Sequence, residues 1–222
     1  MCIASSLIIS QLIPADAATI SLDILFSDGS TSPDYQGTKP WLKINTIDTG
    51  LNQVTMELQV TNLTEPEFVK EWYLNVSDSL NLSEISFTTS SVVGQFLQPT
   101  ISKSTNAYRA GSDGNYDILL SFSTSHTEGG NERFTSGDIL TYTVTYSGPA
   151  GVLNSTSFDF LSDSTGPNGP FTSAAKINAT GADNEGSAWI AAISSGQLPE
   201  PTSAIYALLA TGLFLGVSRR RK

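Results

Sequence analysis

A chain of 222 residues with 39% hydrophobic content and a mean hydropathy near zero has enough apolar material for one domain with a sizeable core. Its formal charge of -10 is opposite in sign to the cationic footprint that nucleic acid and anionic lipid surfaces require, which argues against both as partners. A single cysteine, Cys2, and a single histidine, His126, leave almost nothing for disulfides, thiol catalysis or thiolate-bound metal.

In chain order, Ile3 to Ile13 is apolar and is followed by Ala15-Asp16-Ala17, the small-x-small pattern of signal-peptidase cleavage. Residues 1–17 therefore read as a signal segment cut after Ala17, with Cys2 inside it. Position 2 also lies on the wrong side of the apolar run for lipidation. No Lys or Arg precedes that run, so either the leader is atypical or the true start lies upstream of Met1.

From Thr19 the pattern turns to β-structure. Ile20, Leu22, Ile24 and Phe26 alternate with Thr19, Ser21, Asp23 and Leu25, and Trp41 to Ile44 repeats the idea. Val54, Met56, Leu58 and Val60 alternate with Thr55, Glu57, Gln59 and Thr61, the cleanest half-buried strand in the chain. Further strands are expected at Trp72 to Val76, Ile85 with Phe87, Tyr116 to Phe122 after the turn at 111–115, Leu140 to Tyr146 after Ser136-Gly137-Asp138, Phe158 with Phe160, and Trp189-Ile190. Ser173 to Lys176 suggests one helical turn, and the Gly- and Pro-rich stretch 163–170 a connection. Short Thr-, Val- and aromatic-rich strands without an alternating βαβ rhythm predict an all-β fold. The expected form is a single immunoglobulin-like or jelly-roll-type β-sandwich over 18–193.

A linker over 194–198 leads to Pro199-Glu200-Pro201, an uncharged apolar run over 202–217, and then Arg219-Arg220-Arg221-Lys222. As a helix the run reaches roughly 24 Å, a thin membrane span. The cations should stay cytoplasmic and everything before Pro199 should lie outside. The two prolines keep the entrance extended and readable by a protease. Setting aside Asp16, Glu200 and the four terminal cations leaves 7 cations against 19 anions, a still more acidic product.

Pro199-Glu200-Pro201, the short span and the Arg-rich end resemble the PEP-CTERM sorting signal of Gram-negative envelope proteins, over 199–222. The resemblance implies recognition by an exosortase, which cuts near that motif. It also implies passage through the inner membrane, delivery to the cell surface or medium, and association with exopolysaccharide or biofilm matrix. A broader likeness to uncharacterised proteins of that group runs through Trp72-Tyr73-Leu74-Asn75-Val76, Asp117 to Phe122, Arg133-Phe134, Gly169-Pro170-Phe171, Ser173-Ala174-Ala175 and Trp189-Ile190. The group places a His after the Ala-Ala pair, where this chain has Lys176. It implies no activity.

The residues themselves offer little catalytic inventory. His126 lies in a polar stretch, Ser125 to Gly130, and nucleophilic triads need a positioned His. No catalytic residue and no cofactor are assigned, and the chain is expected not to be an enzyme. Asp159, Asp163, Asp183 and Glu185 could supply a glycosidase-like carboxylate pair, but abundant acids more commonly serve solubility. Asp113, Asn115 and Asp117 repeat the opening of a calcium loop. Ile118 then replaces its required Gly and Thr124 its closing Glu, and a turn feeding a strand is the better account, since Asp and Asn stabilise tight turns without metal. Trp41, beside Pro40, is the most credible exposed stacking platform for sugars, though core packing is the favoured reading of it. A carbohydrate-binding module, calcium-assisted or not, is therefore the second functional expectation, and a carboxylate-dependent hydrolase the third.

Overall fold

The computed structural model describes residues 15–26, 38–111, 113–127, 130–164, 166–181 and 183–193. Its strands are β1 (Ala17–Leu22), β2 (Ile24–Phe26), β3 (Leu42–Gly50), β4 (Gln53–Val60), β5 (Phe68–Leu74), β6 (Ile85–Val93), β7 (Thr100–Arg109), β8 (Gly114–Ser121), the two-residue β9 (His126–Thr127) and β10 (Gly130–Asn131), β11 (Ile139–Tyr146), β12 (Asp163–Ser164), β13 (Ser173–Thr180) and β14 (Gly186–Ala192). Two antiparallel sheets result, one ordered β1-β3-β4-β11-β6 and the other β12-β8-β5-β13-β14-β2, with β7 added along β8.

The alternation in β4 places Val54, Met56, Leu58 and Val60 in the core and Thr55, Glu57 and Gln59 on the outer face. Its neighbours follow the same period, Ile44 and Leu42 from β3 and Leu140, Tyr142 and Val144 from β11. Trp72 and Leu74 from β5, Ile118 and Leu120 from β8, and Ala175, Ile177 and Ile190 from the second sheet meet them in one shared cluster. The architecture is therefore all-β, with a core held between two sheets as in a sandwich. The second sheet buries its other face too. Phe26, Tyr73, Tyr116, Phe171, Ala174, Trp189 and Ala191 form a smaller aromatic cluster there, and this is why β5 is buried on both sides of the sheet at Trp72 and Tyr73.

Three expectations are corrected. The strand at 19–26 is not continuous: it switches sheets at Asp23, whose amide bonds the Ala191 carbonyl in the second sheet. Ile20 and Leu22 enter the main core, and so does half-buried Leu25, while Ile24 and Phe26 join the aromatic cluster. Ser173 to Lys176 is not a helical turn but the start of β13, a central strand of the second sheet. Phe158 and Phe160 do not form a strand. Ser155–Phe158 is one turn of 3-10 helix, started by Asn154, whose side chain accepts from the Thr156 amide while Ser157 bonds back to the Asn154 amide.

The first strand also begins at Ala17, and the Asp48 amide bonds the Asp16 carbonyl. A cut after Ala17 would remove that bond and the first position of β1. The tail over 194–222 lies outside the described residues. Among those described, no helix is long and apolar enough to cross a membrane.

Candidate functional site

The structure separates the residues that the sequence grouped as a metal-binding opening. Asp113 is buried in the turn before β8. Its Oδ2 accepts from the Tyr116 hydroxyl at 2.8 Å and the Ser162 hydroxyl at 3.4 Å. Asp117 turns elsewhere, its Oδ2 accepting from the Val76 amide at 3.2 Å and its Oδ1 from the Asn106 amide at 2.9 Å. Asn115 lies between them in β8, paired with both Arg109 and Asp163. The two carboxylates thus act as hydrogen-bonded staples in separate places, and the candidate set Asp113, Asn115 and Asp117 does not converge. Among the described residues no group of three or more His, Cys, Asp or Glu side chains is placed to hold a metal ion.

Trp41 is corrected as well. It is 1% exposed and packs in the main core, held there by its amide on the Leu22 carbonyl and by the Thr61 and Asn62 amides on its own carbonyl. A ring with no exposed face cannot stack on a sugar. His126 is exposed and lines a cleft of about 270 Å³ with Glu65, Pro66, Arg133 and Thr135. Arg133 is committed within that cleft, lying 4.2 Å over the Phe68 ring and donating to the Thr124 carbonyl. Asp163 is exposed in the short strand β12, Asp183 and Glu185 are exposed on a connection, and Asp159 caps the end of the 3-10 turn.

What sequence reasoning missed is the outer face of the first sheet. Register places Thr19, Asn45, Glu57, Thr141 and Ser91 in one row across all five strands. With strands about 4.8 Å apart, the row is about 19 Å long. The Thr19 hydroxyl donates to Asn45 Oδ1 at 3.0 Å, and Asn45 Nδ2 donates to Glu57 Oε1 at 3.0 Å. The next row is Ala17, Ile47, Thr55, Thr143 and Thr88. Between these rows at the β1 end lies a shallow groove of about 310 Å³ whose lining includes Thr19, Asn45, Ile47, Thr55 and Glu57. Hydroxyls, an amide and one carboxylate on a rigid sheet, beside half-exposed Ile47, make a surface that can hydrogen-bond and pack at once. The alternation of β4 announces outward Thr55 and Glu57, but the row exists only through pairings far apart in sequence.

Electrostatics mark other positions. Burial pushes the Asp113 carboxyl above the usual carboxylate range, against the lowering effect of its bonds from Tyr116, Ser162 and Gly114. Burial likewise raises Asp138, although Thr135 donates to it through both its amide and its hydroxyl. Tyr73 and Tyr116 are raised by burial and by the acids beside them, Glu71 and Asp113, and burial pushes Tyr142 up to about 12. None of these groups lines the groove. They lie in turns, in the aromatic cluster and, for Tyr142, in the main core.

The fold and this face define a class, an all-β protein with two antiparallel sheets and a polar sheet surface. Beyond that class, no protein-family model, curated protein or solved structure matches the chain.

Proposed function

We propose that the chain is an exported, non-enzymatic protein of the cell envelope or extracellular matrix, sorted and cut by an exosortase and associated with exopolysaccharide. The observation that carries this reading is the order Pro199-Glu200-Pro201, uncharged apolar run, Arg219-Arg220-Arg221-Lys222, which combines a proteolytic handle with a positive-inside membrane stop. The apolar stretch ahead of Ala15-Asp16-Ala17 supports export. The single His and single Cys of the sequence support a role in binding rather than chemistry. In this reading the two sheets belong to a sandwich of immunoglobulin-like or jelly-roll type, with the membrane helix over 202–217. Intact-mass analysis of envelope and medium fractions from the native host tests it. A product ending near Pro199 is expected, and a chain retaining Arg219 to Lys222 in every fraction would overturn the sorting step.

A second reading, a carbohydrate-binding module, is favoured by the row Thr19-Asn45-Glu57-Thr141-Ser91 and its groove rather than by Trp41. A pyranose chain repeats at a spacing close to that between strands, so successive sugars can meet equivalent positions along the row. Calcium assistance loses its candidate residues, because Asp117 is occupied by two backbone amides. Affinity electrophoresis through a panel of neutral and acidic polysaccharides tests this reading. Retardation that Asn45→Ala and Glu57→Ala abolish is the expected result, and uniform absence of retardation removes the module.

A further inference from the structure

The two sides of the sandwich are finished differently. On one side the strand at 17–26 passes from the first sheet to the second at Asp23, so β1 and β2 close that side. On the other, β6 ends the first sheet and β7 lies outermost along β8 in the second. Among the described residues, no backbone group pairs with the outer edge of β6. The Lys103 amine reaches only the Ile85 carbonyl at its start.

Proteins usually blunt such an edge with charge, proline or a covering segment. Here no charged residue lies between Glu84 and Lys103, and no proline lies within β6. Besides Lys103 at its start and Gln98, which accepts from the Thr89 hydroxyl, the edge carries a bulge at Ser90, where Thr141 pairs Ser91 and Tyr142 pairs Thr89. Beyond it, Val92 pairs Leu140, a core residue, yet is 41% exposed, with Val93 at 52% and Leu97 at 53%. Val92 therefore faces the core side of its sheet and still lacks cover.

We propose that the open edge of β6 and the loop 94–99 form a self-association surface, on which a second copy of the chain pairs antiparallel about a two-fold axis near Val92 and Val93. Charge selects the occupant. A chain of net charge -10 repels its own copies over most of its surface, and the uncharged run 85–102 lets two copies approach along an edge without that penalty. An antiparallel edge is self-complementary in its hydrogen bonds, and a two-fold contact needs a surface that matches itself. The axis near Val92 and Val93 sets four valines at the centre, with exposed Leu97 of each copy in the loop beside them. About that axis only the last residues of the two β6 strands, Val92 and Val93, lie opposite each other, because β6 ends at Val93. With the loops 94–99 beside them, the contact is smaller than a standard interface, which gives a weak, reversible dimer.

The test is cysteine cross-linking of the full chain under mild oxidation, in a Cys2→Ser background. Val93→Cys sits near the axis, and Ile47→Cys, exposed on the outer sheet face, is the control. At least fivefold more disulfide-linked dimer is expected from Val93→Cys than from Ile47→Cys. Adding Val92→Lys and Leu97→Lys should cut the Val93→Cys dimer at least fivefold, because both copies then carry like charge at the centre. Positions 47, 92, 93 and 97 are substantially exposed, so these substitutions spare the core. Equal cross-linking at 93 and 47, absence of dimer from both, or a Val93→Cys dimer that the lysines leave unchanged would each overturn the proposal.

Discussion

Ser173→Ala isolates one buried link between the two central strands of the second sheet. The Trp72 indole N–H donates to Ser173 Oγ at 3.0 Å, and that hydroxyl donates to the Tyr73 carbonyl at 2.8 Å. Trp72 and Ser173 are both 0% exposed, so neither orphaned group regains water when the hydroxyl is removed. The substitution leaves one donor and one lone pair of an acceptor unpaired in the core. An unsatisfied buried group costs about 1–3 kcal/mol, and the Tyr73 carbonyl counts for less because a carbonyl has a second lone pair. A loss of about 2 kcal/mol is therefore expected, which lowers Tm by about 4–8 °C for a domain of this size. Trp72→Phe removes the indole donor and some ring volume. In the Trp72→Phe/Ser173→Ala pair the donor is gone from the start, so the second substitution should cost about 1 kcal/mol less than it does alone. Urea unfolding followed by far-UV circular dichroism reads all four corners of the cycle. A Ser173→Ala loss below about 0.5 kcal/mol, or additivity of the two changes, would refute the buried link.

Further outcomes follow from the acids and turns. Asp113 and Asp138 carry carboxyls raised by burial, so the folded state binds protons more readily than the unfolded chain. These two groups therefore favour folding at acid pH, and that contribution falls as pH rises from the unfolded value of about 3.9 through the raised folded one. Asp113→Asn should flatten this part of the Tm-against-pH curve between pH 4 and 7, and an unchanged slope would count against burial as the cause. Asp117→Ala frees the amides of Val76 and Asn106 and should cost about 2–3 kcal/mol in urea unfolding, while chelator leaves the wild-type Tm unchanged. A calcium-dependent rise in Tm that Asp117→Ala abolishes would restore the metal reading. Gly94→Ala would set a Cβ 1.8 Å from Asp138 Oδ1 at a φ of +111°, a backbone region that side chains avoid. A loss of about 1–3 kcal/mol is expected by thermal unfolding, and wild-type stability would show that the turn relaxes freely.

The sequence made some of this legible because period and burial coincided. In β4 every second residue enters the core, and the pattern alone places the strand. In β13 they do not coincide. Ala174 sits opposite Tyr73 and Ala175 opposite Trp72, so the neighbouring aromatics fill the space and the strand opens on small residues, Ser173-Ala174-Ala175, that look helical. β7 escaped notice for the opposite reason, since an exposed edge needs no apolar alternation. The strand at 17–26 kept its alternation while changing sheets, so residues that looked like one face serve two clusters. Candidate sites divide in the same way. Asp113 and Asp117 are close in sequence, yet the turn and the strand send their carboxylates to different partners. The row on the outer face joins residues from 19 to 141, which only strand pairing brings together.

The crossing at Asp23 also bears on how the domain carries load. β14, which leads toward the proposed tether, lies inside its sheet between β13 and β2, and β2 continues directly into β1 of the other sheet. A pull from beyond Ile193 therefore acts on a strand bonded along both edges, which cannot be peeled away as an outermost strand can. Through β2 and β1 the strain is shared between the sheets. The opposite side, with β6 and β7, stays outside that line of force. A domain swinging on such a leash would keep its uncovered flank undistorted while the tethered flank takes the drag of flow.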